Sequence, residues 1–342
     1  EDGEWTEEVP TIKDVGSKEV TVKAENPNYE TAEDTYTLTV TPKAVTVKAE
    51  DKSKVYGEKD PELTATVSGT IGDDKVAYSL SRAEGEAVGN YAITASGEEK
   101  QGNYTVTYIQ GILTITGQSI VPEDPSYKGV DVDSPSDHEY DGNEHKWEPT
   151  VKDGSGTELT AGTDYEVSYD TEDFVNVKTI TVTIKGIGNY KGQVTRTYKI
   201  TPKAVTVTAD DKSKVYGETD PALTAAVSGT IGGDTVDYSL SRDAGEAVGD
   251  YAITASGEAE QGNYTVTYNP GTLTITGQSI VPEDPSYKGV DVDSPSDHEY
   301  DGNEHKWEPT VKDGSGTELT AGTDYEVSYD TEDFVNVKTI TV

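Results

Sequence analysis

Five carboxylates fall within eleven residues at Asp131, Asp133, Asp137, Glu139 and Asp141, and three more fall within four residues at Asp170, Glu172 and Asp173. Clustered carboxylates with loop carbonyls are the chemistry of hard cations. Asp131, Asp133, Asp137 and Asp141 are therefore candidate calcium ligands. Their spacing is not that of an EF-hand, and a solubilising acidic surface has the same composition; that second reading weighs more. The four histidines, His138 and His145 with their copies His298 and His305, lie in polar, turn-rich stretches beside Glu139, Asp141 and Glu144. Two histidines seven apart do not make a metal site by spacing alone, and a base or nucleophile needs a positioned partner. They are read as surface-loop residues. The chain has no Cys, so thiol nucleophiles, thiolate metal sites and disulfides are excluded. Trp5, Trp147 and Trp307 have the aromatic faces that stack on sugars. Trp147 precedes an alternating segment, and the edge of a core is its expected place. A Lys–Asn isopeptide cross-link between Lys43 and Asn103 is disfavoured. Lys43 shares strand parity with Val45 and Val47, whereas Asn103 has the opposite parity from Tyr104, Val106 and Tyr108. No enzyme and no resident cofactor are expected.

The elements that would hold these residues read as strands. Ala204–Thr208, Tyr264–Tyr268, Leu273–Thr276, Tyr165–Tyr169 and Ile180–Ile184 alternate apolar with polar residues. That period places one face in a core and the other in water. The β-branched and Tyr-rich choice suits such a surface, and Gly, Asn, Asp and Pro punctuate the segments every 8–12 residues. An antiparallel β-sandwich is predicted for each unit. Gly89-Asn90-Tyr91 and Gly249-Asp250-Tyr251 resemble a tyrosine corner, in which a Tyr hydroxyl ties a strand start to nearby backbone. In Tyr56-Gly57 and Asp60-Pro61, Gly57 is read as permitting a turn and Pro61 as beginning the next strand.

The order of the residues repeats every 160 positions. Residues 113–182 and 273–342 are identical, and residues 43–117 and 203–277 differ at only 16 of 75 positions. The units read as 1–42, the tail of a preceding long-type repeat; 43–117, short; 118–202, long; 203–277, short; and 278–342, a long repeat whose equivalents of Thr183 to Pro202 are missing. That last unit is expected to be incomplete, with an open edge. Units of this size are beads with their own cores. Thr41-Pro42-Lys43 and Thr201-Pro202-Lys203 join beads with almost no spacer and should be stiff. The reverse junction, from Gly117 to Tyr127 with Pro122 and Pro125, should be semi-rigid.

Composition bounds the classes. Leu, Ile, Val and Phe are 63 of 342 residues and the net charge is -38, an arithmetic that flags disorder. Alternation and 22 Tyr answer the flag, because the cores use every second position and draw on tyrosine rings. The acidic balance argues against nucleic acid. No run of about 18 apolar residues is present, which argues against membrane insertion.

Lys54-Val55-Tyr56-Gly57, Asp60-Pro61, Val67-Ser68-Gly69, Ser79-Leu80-Ser81-Arg82, Gly85-Glu86-Ala87-Val88-Gly89, Tyr91-Ala92-Ile93 and Gly102-Asn103-Tyr104, with their copies from Lys214 to Tyr264, resemble the MBG-type repeat of bacterial surface proteins, in its Tyr-Gly version. The long unit, with Tyr140-Asp141-Gly142, Asp164-Tyr165 and Gly188-Asn189-Tyr190, is similar to a second immunoglobulin-like repeat of the same proteins. The resemblance implies an all-β chain of tandem immunoglobulin-like β-sandwich domains arranged as an elongated rod. It also implies a monomeric stretch of a longer stalk in an adhesin that is extracellular, on the bacterial cell surface or cell wall. The alternative it leaves open is a multivalent weak binder of a host glycan or host protein, such as mucin or immunoglobulin.

Overall fold

The computed structural model describes residues 10–25, 27–336, 340 and 342. Every regular element among them is a strand. The chain begins with a hairpin of β1 (Gly16–Ala24) and β2 (Ala32–Val40), paired from Gly16↔Val40 to Ala24↔Ala32.

The first short bead carries β3 (Lys43–Ala49), β4 (Lys52–Val55), β5 (Ala65–Ser68), β6 (Ser79–Arg82), β7 (Gly89–Ser96), β8 (Lys100–Gln101), β9 (Tyr104–Ile109) and β10 (Gly111–Thr116). They form two four-stranded sheets, β5-β3-β9-β8 and β4-β10-β7-β6. The alternation read in the sequence is the packing. Val45, Val47 and Ala49 of β3, Tyr104 and Val106 of β9, and Leu113 and Ile115 of β10 form one buried cluster with Ile93 and Ala95 of β7.

The sheets are mixed rather than antiparallel, because β3 runs parallel to β9 and β4 parallel to β10. The first strand breaks after Ala49 and crosses to the other sheet, and the last pair, β9 and β10, crosses beside it. Parallel pairing follows from that shared change of sheet. Pro61 does not begin a strand, since β5 starts only at Ala65; the loop is held instead by Asp60, described below. Gly57 does sit in a turn, at φ +82°. The tyrosine corner is present in both copies: Tyr91 and Tyr251 donate their hydroxyls to the carbonyls of Ala87 and Ala247 at 2.8 Å.

The long bead holds β11 (Gln118–Ser119), β12 (Asp131–Val132), β13 (His138–Glu139), β14 (Val151–Lys152), β15 (Tyr165–Tyr169), β16 (Lys178–Gly186), β17 (Tyr190–Lys191) and β18 (Gln193–Thr201). β15 pairs antiparallel with β16, and β18 lies on the other side of β16. Ile180, Val182 and Ile184 alternate into the core with Val151, Tyr165 and Tyr198. The second short bead repeats the first with β19 (Lys203–Ala209), β20 (Lys212–Val215), β21 (Ala225–Ser228), β22 (Ser239–Arg242), β23 (Gly249–Ser256), β24 (Glu260–Gln261), β25 (Tyr264–Asn269) and β26 (Gly271–Thr276). In the last long unit, β27 (Asp291–Val292) pairs with β28 (Val311–Lys312). The equivalents of β15 there carry only an isolated bridge, Ala321↔Tyr325, among the described residues. The chain is thus a tandem series of immunoglobulin-like β-sandwich beads.

The polypeptide forms two compact units. One is built from residues up to 136, 146–172 and 179–199, the other from 137–145, 173–178 and 200 onward. Two loops of the long bead therefore belong, by their contacts, with the bead that follows.

Candidate functional site

For a chain of repeated beads, the places where beads meet decide what the array can do. Three of the meeting points use the same device, an Asn that follows a turn glycine and precedes a buried Tyr. Asn103 accepts the Val15 N–H on Oδ1 at 2.8 Å and donates Nδ2 to Asp14 at 2.9 Å. Asn189 accepts the Val88 N–H on Oδ1 at 2.9 Å. Asn263 accepts the Val177 N–H at 2.8 Å and donates to the Asn176 side-chain carbonyl at 2.8 Å. A side-chain amide carries the donor and acceptor of a peptide group. It extends the ladder of one bead onto the loop edge of the bead before it.

The tyrosine beside that Asn provides the apolar contact. Tyr190 packs edge-on against Tyr56 of the preceding short bead, with ring centroids 5.7 Å apart at 73°. Tyr264 meets Tyr140 of the preceding long bead at 5.5 Å and 89°. Edge-to-face pairs of this kind add to the stabilisation from burial. The Tyr264 hydroxyl donates to Asp234 at 2.6 Å and accepts the Ile231 N–H at 3.0 Å. Tyr140 donates to the same carboxylate at 3.2 Å. A Lys203–Glu139 ion pair at 3.1 Å closes the rim.

The predicted semi-rigid linker from Gly117 to Tyr127 is not free. β11 pairs parallel with β17, the Gln118 N–H donates to the Asn189 carbonyl at 3.0 Å, and Ile120 is 1% exposed. A Lys128–Glu58 ion pair at 2.8 Å spans the same joint. The prolines only shape the turn that follows.

Within each short bead, residues far apart in sequence converge on one buried ammonium. Lys54, 7% exposed, donates to the Glu58 carbonyl at 3.0 Å, to Asp60 at 2.7 Å and to Glu86 at 2.5 Å, so its three N–H donors are all used. Arg82 completes a ring by bonding Asp60 at 2.7 Å and also Glu86, with its guanidinium 5.8 Å from the Tyr91 ring centroid. Lys214, Asp220, Arg242 and Glu246 repeat the ring. Burial by itself would lower the Lys54 pKa, but the bonds to Asp60 and Glu86 outweigh it and hold the ammonium above the usual lysine range. Lys54 and then Arg82 hold Asp60 and Glu86 below the usual carboxylate range. The Tyr-Gly turn, Asp60, Arg82 and Glu86 are the residues that carry the sequence resemblance.

A family model described as "MBG domain (YGX type)" matches residues 45–114 and 205–274. The two short beads are MBG domains. No curated protein matches the chain. Solved structures similar to it include the protocadherin gamma B4 extracellular domain (8% identity, 76% of this chain, 54% of that one, TM-score 0.20). Domains 1–6 of the surface layer protein SbsC match with 15% identity over 97% of this chain and 54% of that one, at TM-score 0.23. Mouse cadherin-23 EC22–24 matches with 10% identity over 69% of this chain and 99% of that one, at TM-score 0.23. The chain spans about half the length of the first two.

The acidic candidates separate. Asp131 lies exposed on β12, opposite Lys152. Asp133 accepts the Thr150 N–H at 2.9 Å. Both belong to the first compact unit, whereas Asp137 and Asp141 belong to the second. Asp141 caps its own turn: it accepts the Asn143 N–H at 2.9 Å and bonds His145 Nε2 at 2.8 Å. The backbone and side chain of Asn143, then His145, lower its pKa to about 2. Asp173 is held low first by Lys178, at 2.8 Å, and then by Asn176. Among the described residues, no three His, Asp or Glu side chains group as metal ligands. His138 and His145 stack on one another at 4.3 Å, as do His298 and His305 at 4.4 Å. Trp147 and Trp307 are half-buried, and their carbonyls accept the hydroxyls of Tyr169 and Tyr329 at 2.7 Å. Trp5 lies outside the described residues. Lys43 is exposed despite its parity, because it stands at the open end of β3, and Asn103 points not at the core but into the joint.

Two outcomes follow for the MBG beads. Lys54→Met removes three charge-assisted bonds and also the cost of burying an ammonium. A net loss of about 1–3 kcal/mol is expected, read as a drop in the first bead's melting temperature of roughly 5–15 °C. The ring also sets an acid limb. Asp60 and Glu86 have folded pKa values below their ordinary 3.8 and 4.5. Their contribution is therefore complete above those values and is lost as pH falls through the lowered ones. Thermal melts should be flat from neutral pH down to about 5 and fall below that, with a shallower fall in Lys54→Met.

At the other extreme, burial and then Tyr56 raise the Tyr190 pKa from 10.0 to about 12. A raised value means that its stabilisation is complete below pH 10 and is lost as pH rises towards 12. Tyrosinate absorbance should show Tyr190 titrating last, and Tyr56→Ala should bring it forward.

Proposed function

We propose that this chain is a section of a stiff spacer, an elongated rod of beads in the stalk of a bacterial cell-surface or wall-bound adhesin, which holds a distal binding domain away from the cell. The observation that carries this reading is the joint: Asn189–Tyr190 and Asn263–Tyr264 reach back to the preceding bead in the same way, and no free linker is left at Thr201-Pro202-Lys203 or after Gly117. The MBG match supports placement outside the cell, in keeping with the resemblance to bacterial surface proteins. No helix among the described residues is long and apolar enough to cross a membrane. A net charge of -38 supports rods that stay apart at close range, within a Debye length of about 8 Å at physiological salt. Near-identical copies allow recombination to change array length without changing any joint, as selection on reach requires. The role needs no catalytic residue and no cofactor.

The test is to shorten the array in the full-length surface protein by one 160-residue period, which keeps every joint type. Adhesion of whole cells under flow should fall in step with the lost length, while the isolated tip keeps its affinity. Adhesion that does not respond to array length would overturn the spacer reading.

A further inference from the structure

The long bead carries a groove of about 440 Å³ between residues 120–132 and the start of β18. Its floor is apolar, with Ile120, Val130 and Val132 all buried. One cation faces this groove, Arg196. The chain has only three arginines, and Arg82 and Arg242 each sit on two carboxylates. Arg196 does not. Its guanidinium donates to the carbonyls of Val132 at 3.2 Å and Thr195 at 3.1 Å, and no carboxylate among the described residues pairs with it. A guanidinium has five N–H donors in a fixed fork, so this one is oriented by two carbonyls with donors to spare. In a chain with 65 acidic side chains, a cation without a carboxylate is informative. At the rim, Asp131 and Glu123 are exposed acceptors.

We propose that this groove binds an acidic sugar residue. The sugar carboxylate takes the Arg196 fork, a pairing suited to planar bidentate contact. Its hydroxyls donate to Asp131 and Glu123, and its C–H face covers the half-buried Val121 and Val194. Apolar walls with a few convergent polar groups, in a volume of this order, are what small-molecule sites have in common. The overall negative charge opposes anions, so the site is weak.

The test is a 1H–15N titration of the whole chain with D-glucuronic acid and with N-acetylneuraminic acid, which separates uronic from sialic sources. The methyl esters of both and D-glucose serve as uncharged probes. Saturable shifts confined to residues 130–132 and 193–196 are expected for one or both acids, with affinity at least about tenfold weaker for the esters. Arg196→Gln should lose the same factor, and Arg196→Lys should fall between. Because Arg196 also ties the Val132 carbonyl, the ester comparison on the unaltered protein stands independently of any variant. Equal affinity for acid and ester, unchanged binding in a folded Arg196→Gln, or no saturable shift with either acid would overturn the proposal.

Discussion

Tyr140→Ala is expected to uncouple the long bead from the MBG bead that follows it. Tyr140 is 8% exposed, whereas its copy Tyr300, in a unit with neither its own last strands nor a bead after it in this chain, is 62% exposed. Somewhat more than half of the side chain, roughly 100 Å², is therefore covered in the one setting and not in the other. At about 25 cal/mol per Å² that is at most about 3 kcal/mol, shared between the bead's own last strand, whose Thr201 carbonyl accepts the Tyr140 N–H, and the joint, where Tyr140 meets Tyr264 edge-on and bonds Asp234. The alanine variant should keep both beads folded but separate their unfolding transitions. It should also free the Val177 and Asn263 amides to exchange with solvent. The matched variant Tyr300→Ala should change neither. Equal effects at the two positions would show that Tyr140 matters only to its own bead.

Gly85→Ala is expected to be strongly damaging to an MBG bead for the sake of a single methyl group. Gly85 has φ +132°, a region essentially closed to residues with a Cβ and worth roughly 1–3 kcal/mol of strain. A Cβ there would also lie only 2.2 Å from Tyr91 Cε1, so the ring must leave the corner in which it bonds Ala87, and Arg82 loses the turn it bridges. Together these should cost about 3 kcal/mol, or roughly 12–20 °C for a bead of this size. Gly245→Ala should do the same in the second copy, where the clash is 2.1 Å. Gly72→Ala is the control. Its φ is also positive, but nothing lies within 4 Å of the added carbon, so only the backbone strain should remain.

These two residues also mark what could be read in the sequence. Alternation gave the core directly: Val45, Val47, Val106, Leu113 and Ile115 are buried because period two leaves them no other face. The tyrosine corner was legible because its geometry is local, four residues from hydroxyl to carbonyl. The parallel pairings were not, since a strand that changes sheets after Ala49 alternates just as one that does not. The ion ring was missed for another reason. Lys54, Asp60, Arg82 and Glu86 are each unremarkable in an acidic chain, and only the fold brings Glu86 to a lysine 32 positions away. The joints left a signal that could have been used. Gly-Asn-Tyr occurs in the short beads at 102–104 and 262–264 and again in the otherwise different long bead at 188–190, and a turn alone requires the Gly, not the Asn and Tyr. The acidic cluster was legible as composition but not as arrangement, because Asp133 bonds across to the Thr150 N–H and Asp141 caps its own turn.

Small-angle X-ray scattering of the whole chain tests the proposed spacer role, which requires the beads to stand in a stiff row. A compact particle of 342 residues would have a radius of gyration of about 20 Å. Beads whose longest strands have nine residues are each about 30 Å long. Four in a stiff row predict a radius of gyration of roughly 35–40 Å, with a cross-section no wider than one bead, and a Tyr140→Ala variant that is measurably shorter on average. A value near 20 Å, or a flexible-chain profile that the variant leaves unchanged, would contradict it.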